Sequence, residues 1–476
     1  MNDVSHQTNL QHLFWRAGFG ASPQRVWEAA KKPLREVVDS LFRDSRRDTP
    51  LDRITSAEPG YNRRALRELL SRRDDLSPDD KRRMVKDLVQ ENRGKIGDLN
   101  HQWLDRMGHG PEALREKMTL FWHGHFACRT LNPAFVQRQN NLIRGLALGK
   151  FGDLLRGVSQ DPAMLQFLNN QQNKKDSPNE NFAREVMELF TMGRGQYSER
   201  DIKEAARAFT GWGFVPLSGE FAFRKNQHDG GSKTIFGKTG SFDGNDVLDL
   251  ILDRPETSRF LVMKLYRYFV NDTPDESHVG ELARRFRRTD YDIEDLMRTI
   301  FTADWFYEPR NIGAKIKSPV ELLAGLQRQF GVEFGGKQSV LFVQKALDQV
   351  LFYPPNVAGW PGGRAWIDSS SLLLRMKLPE ILFKGAELAV RAKDDGDVNT
   401  EHLANKENKF LNTTVDWASF EAAFAGLQGK ALLDALAGSL LQRPLTPAQQ
   451  ALLLKKATSV RDLALAVATL PEYQLC

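Results

Sequence analysis

Apolar residues recur through Pro178–Gly193 (PNENFAREVMELFTMG) at Phe182, Val186, Leu189 and Phe190. This i, i+4, i+7, i+8 spacing puts one apolar stripe on a 3.6-residue helix. It predicts a helix over Asn179–Thr191 with those four side chains buried, Asn179 as its cap and Gly193 as its stop. Glu180, Asn181, Arg184, Glu185 and Glu188 occupy the polar side. Glu185 falls at the edge of the apolar arc, where a carboxylate is partly buried. Arg184 stands four residues from both Glu180 and Glu188, a spacing that supports opposite-charge pairs.

The same periodicity continues in YSERDIKEAARAFTGWGF. Ser198 and Asp201 form a capping box with Asp in place of Glu, and Ile202, Ala205, Ala206 and Phe209 make the buried stripe. Upstream, Ser22-Pro23 reads as a cap followed by proline at the first helical position, after a tight turn at Ala17–Ser22. Periodicity weakens between residues 214 and 246, where FAFRKNQHD alternates like a short strand and HDGGSKTIFGKTGSFDG is a glycine-rich loop. Helices return from Asp246. The proline and glycine density of LFYPPNVAGWPGGRAW excludes regular structure there. The predicted fold is mostly α, an irregular multi-helical bundle with a loop-rich insertion near 214–246 that can carry a short hairpin. A core over 1–390, a polar linker or long loop over 391–414 and a small C-terminal helical unit over 415–476 packed on the core are expected.

Composition narrows the class. At 476 residues, 41% hydrophobic and 27% charged, the chain is an ordinary globular one, long enough for more than one core. The net charge of +6 raises the question of nucleic acid. Tyr61–Lys95 carries eleven Lys or Arg and seven Asp or Glu. Both signs are interleaved over two helical patterns that turn at Ser77-Pro78, a solvated hairpin rather than a one-sided basic stripe, which argues against nucleic acid. No apolar run approaches a membrane span, and the first residues lack the basic and apolar regions of a signal peptide. Only Cys128 and Cys476 occur, which suits a reducing compartment, so a cytoplasmic protein is expected.

Seven stretches, in order, give the chain a family resemblance: WRAGFGAS, FWHGHFA, NENFAREVMELFTMG, YSERDIKEAARAFTGW, HDGGSKTIFG, FDGNDVLDLIL and PPNVAGWPGG. From about residue 10 to residue 376 the sequence resembles the bacterial family catalogued as domain of unknown function 1800. The family's genes are often found beside those of domain of unknown function 1501, which resembles sulfatase- or phosphatase-like proteins. The resemblance therefore implies a shared pathway with such a partner, without assigning a reaction.

Candidate chemistry falls on three stretches. His123-Gly124-His125 offers two imidazoles. On a continuous helix, residues i and i+2 point about 200° apart and cannot share a metal ion, whereas a chain relaxed at Gly124 lets them converge. With Cys128 the pattern H-x-H-x-x-C suggests zinc, but the resemblance does not call for cysteine there, which makes Cys128 a small buried residue. A divalent metal on His123 and His125 is one expectation; the other is acid–base work or simple hydrogen-bonding between helices. In the glycine-rich loop, a Walker-type site needs glycine where Ser232 stands and is rejected. His228, Asp229 and Lys233 remain as an anion-receiving turn, with a mobile hairpin tip as the alternative. Trp212 and Trp360 are candidate stacking platforms, with loop anchoring the stronger reading for Trp360.

Two function classes follow. The first is an enzyme using acid–base or metal-assisted chemistry on an anionic or carbohydrate-like substrate, in a cleft built from the HGH, NENFARE and HDGGSKT stretches. Glu180 or Glu185 would be the base or a ligand, with His123, His125 and His228 as acid–base groups or ligands. Arg184 and Lys233 would hold negative charge. The second is a non-enzymatic binding or assembly factor for a protein of the 1501 family. No nucleophile elbow, H-E-x-x-H or dinucleotide fingerprint is present to choose between them.

Overall fold

Ser77 accepts the backbone N–H of Asp80 and Pro78 takes the first turn, starting a helix that runs 32 residues to His109. Only its second half is buried, at Ile96, Leu99, Trp103, Leu104 and Met107, and it packs there on the helices Pro319–Phe330 and Lys337–Ala346. The structure, a computed structural model, describes residues 2–54, 77–216, 218–384, 411–456 and 459–476. The first part of the expected charged hairpin, before Ser77, and the expected linker up to residue 410 lie outside the described residues. No described helix is long and apolar enough to cross a membrane.

The apolar side chains gather in two clusters. One joins the helices Pro133–Leu146, Phe151–Ser159, Glu199–Ala208, Gly244–Leu252 and Pro255–Phe269 around the central segment at 181–191. The other joins the Pro78–His109 helix to Pro319–Phe330, Lys337–Ala346, Ser369–Lys384 and the C-terminal helices from Gly429 onward. The 415–476 stretch thus supplies a wall of the second core. It is tied there by the strand pair Val332–Phe334 with Thr413–Val415.

The helix Ala113–His125 runs between the clusters and is buried at nearly every position. Its Glu116 receives Arg144 through both carboxylate oxygens, at 2.7 and 2.9 Å, and Trp103 Nε1 at 2.7 Å. One fully enclosed carboxylate therefore joins three helices. The insertion holds two hairpins, Trp212–Phe214 with Phe221–Phe223 and Lys233–Ile235 with Lys238–Gly240. The second turns through Phe236 and Gly237, both at positive φ. That is the two-residue turn whose twist matches the strands it joins. The mostly α expectation with a hairpin in the insertion holds.

Candidate functional site

The central segment is helical from Asn181, whose N–H bonds the Asn179 side chain at 2.9 Å. It ends at Gly193, where φ is +82° and a β-carbon would come within 2.9 Å of Phe260. In between, however, the helix changes kind: Asn181–Glu185 is α and Val186–Thr191 is π. Met192 N–H reaches back five residues to Met187 O at 2.9 Å, and Thr191 Oγ1 donates to Val186 O at 2.6 Å. A π turn takes up an extra residue, so side chains beyond it rotate relative to an α register. The buried positions become Phe182/Ala183, Val186/Met187 and Phe190/Thr191, and Leu189 is only half-buried. The expectation that Leu189 is a full core position is corrected, with Met187 in its place.

The last carbonyls of any helix lack intrahelical donors. Here two basic side chains meet them. His125 Nε2 donates to Phe190 O at 3.0 Å, and Lys264 Nζ approaches Leu189 O at 3.5 Å. Burial pushes the Lys264 amine down to about 8. Burial, helped by the Lys264 charge, also holds His125 well below the usual imidazole range against its bond to the Phe190 carbonyl. His125 is thus a neutral helix cap.

On the polar side, Arg184 pairs with Glu180 at 3.2 Å and with both oxygens of Glu199 at 2.7–2.8 Å. It does not reach Glu188, which the π turn carries away. Glu188 instead accepts Tyr197 Oη at 2.6 Å and bonds Arg194. Those partners lower the Glu188 pKa, led by the tyrosine hydroxyl. Glu185 is half-buried and makes no hydrogen bond or ion pair among the described residues. Desolvation, then repulsion from Glu188, raises its pKa. Two carboxylates three residues apart are thus shifted in opposite directions.

The glycine-rich loop is pinned from within. Lys233 is buried with its Nζ bonded to Asp229 O at 2.6 Å and Gly231 O at 3.0 Å, so its ammonium is occupied by its own turn. Asp229 holds Arg207 at 2.7 Å, and His228 Nδ1 lies 3.0 Å from Thr210 O. These contacts fasten the hairpin to the helix Glu199–Ala208.

His123 faces the other core. Its Nε2 accepts Phe352 N–H at 3.2 Å among Trp103, Phe352 and Trp360, and burial lowers its pKa to about 4. The helix is unbroken through Gly124, so the two imidazoles diverge as i, i+2 residues must, and they do not fit one metal ion. No group of three or more potential metal ligands occurs among the described residues. Cys128 is buried, its thiol pushed up by desolvation. It shares a water-sized cavity of about 10 Å³ with His123, Gln139 and Asn140. Trp360 anchors its loop against His123 and Gly124. Trp212 is a core residue set edge-on to Phe209 and Phe221.

The residues singled out from sequence therefore do not share one cleft: His123 faces the second core, and the others form three groups. His125 joins the central helix from behind, Glu180, Arg184 and Glu185 lie on its polar side, and His228, Asp229 and Lys233 fasten the hairpin. Sequence reading missed Tyr197, Arg194 and Lys264, and gave Glu188 the wrong partner. The Tyr197-Ser198 junction directly after the Gly193 stop was the available signal. The family model described as "Protein of unknown function (DUF1800)" matches residues 12–475, and the chain belongs to that family. No curated protein and no solved structure matches it.

Proposed function

We propose that this DUF1800 member is an enzyme that uses acid–base chemistry on an anionic or carbohydrate-like substrate, worked from the polar side of the central helix. The observation that carries the reading is the Glu185–Glu188 pair. Neighbouring carboxylates whose environments push their pKa values apart are the pattern by which one fold holds an acid and a charge stabiliser together. Glu185, raised and without a hydrogen-bond or ion-pair partner among the described residues, is the group that takes or gives a proton. Glu188, kept ionised by Tyr197 and Arg194, is the fixed charge beside it. Arg194 is exposed and Arg184 half-buried, each paired to carboxylates of the same face, so an anionic group of the substrate would exchange for one of those partners. The π turn supports the same reading, because such turns recur at functional sites. His123 and His125 act as supports in this scheme, and no step runs through a metal.

The assay is genetic. Glu185→Gln keeps the shape of the side chain and removes its proton chemistry. It should leave the folded protein at normal level and fail to complement a deletion strain. One observation favours the second reading, an assembly factor for a protein of the 1501 family. Val215 and Phe223 are large apolar side chains exposed on the first hairpin. In that case Glu185→Gln is silent and Phe223→Ser abolishes complementation.

A further inference from the structure

Away from the central helix, four segments remote in sequence bring basic side chains into the interior. Arg16 closes the first helix, Lys117 lies in the middle helix, Lys317 precedes Pro319–Phe330, and Arg375 sits in Ser369–Lys384. Arg16 is 2% exposed, Lys117 1%, and Lys317 and Arg375 0%. Glu321 receives Lys117 and caps its own helix through Ser318 N–H. Lys317 lies between the rings of Trp15 and Tyr473, at 3.7 and 3.9 Å, and its Nζ bonds Tyr473 O. Glu321 and Asp272 offset part of this positive charge.

The guanidinium of Arg375 is held at one end. Its Nη1 donates to Lys317 O at 2.9 Å and meets Gln474 Oε1 at 3.4 Å. Its Nε and Nη2 have no partner among the described residues. Those two N–H groups form the side-on fork that receives two oxygens of one carboxylate or phosphoryl group. Gln474 Nε2, on the amide that touches Arg375, is also buried and without a partner, as are Nε and Nη1 of Arg16. Buried donors left unmade cost free energy, and buried cations only partly offset by counter-charge cost more. Water satisfies the first need and not the second.

We propose that Arg375 and Gln474 form a binding site for the oxyanion group of a small ligand, a phosphoryl or a carboxylate group, with Lys317 and Arg16 supplying the surrounding positive charge. The site is separate from the Glu185–Glu188 pair and does not depend on it.

Equilibrium dialysis of the full chain tests this, with labelled inorganic phosphate and labelled succinate as probes at constant ionic strength in chloride. One saturable site per chain is expected for at least one probe. Phosphate alone would assign a phosphoryl group, and succinate alone a carboxylate. Arg375→Lys keeps the charge and loses the fork, and should weaken binding at least about tenfold. Gln474→Glu places a carboxylate beside Arg375 Nη1, where it offsets the guanidinium charge and removes the Gln474 Nε2 donor. It should abolish binding while raising the thermal midpoint, a readout that guards against loss of fold. No saturable binding of either probe, or binding that survives both substitutions, would overturn the proposal.

Discussion

His125 Nε2 lies 3.0 Å from Phe190 O and donates to it, joining the middle helix to the end of the π turn. His125→Phe keeps the ring in its aromatic setting and leaves that buried carbonyl without its donor. The variant should lose about 1–3 kcal/mol in urea denaturation. A loss within error would mean that the carbonyl finds another donor and that the cap is dispensable.

The register shift of the π turn makes a second prediction. Met187 is fully buried where an α pattern would leave it at the edge, and Leu189 is half-buried. Met187→Ala should cost about 2–5 kcal/mol and Leu189→Ala clearly less. The reverse order would restore a plain α-helix.

The Glu116–Arg144 pair is enclosed on all sides. Arg144→Met leaves the carboxylate buried without its cation, which should cost about 3–5 kcal/mol. Adding Glu116→Gln to that variant should recover part of the loss, since the uncompensated charge is then gone. Equal stability of the single and double variants would contradict the uncompensated charge as the source of the loss.

Stability against pH gives a fourth test. Burial lowers His123 from its ordinary 6.5 to about 4 in the folded protein. Between those values the unfolded chain binds a proton that the folded one does not, so this group's contribution is whole above pH 6.5 and falls as pH drops toward 4. Asp161, raised by burial to about 7, acts in the opposite sense over pH 4–7. His123→Gln can still accept Phe352 N–H. Its stability should fall less steeply between pH 6.5 and 4 than that of the unaltered protein; parallel curves would contradict the assignment.

The helices, the caps at Ser22 and Ser198 and the hairpin in the insertion were legible because each rests on local spacing. The π turn was not, since the stripe Phe182, Val186, Phe190 satisfies either kind of helix and only tertiary packing decides between them. Glu185 was recognisable from its place at the apolar edge. Lys233 stays ambiguous for a different reason: a lysine in a glycine-rich turn reads the same whether it faces a ligand or its own carbonyls. The histidines at i and i+2 take opposite faces only if the helix runs on through Gly124; it does, and a separate core packs on each. Arg16, Lys317, Arg375 and Gln474 share no local pattern. They meet only because chain segments hundreds of residues apart fold together.

Complementation by Glu185→Gln at matched protein level, with the thermal midpoint measured alongside, tests the central claim most directly. The substitution removes one carboxylate that has no hydrogen-bond or ion-pair partner among the described residues, so the midpoint should stay the same or rise slightly as the repulsion from Glu188 disappears. An intact fold with complementation lost is the predicted result. Full complementation by the same stable variant would contradict it, and would take the proton chemistry away from the central helix.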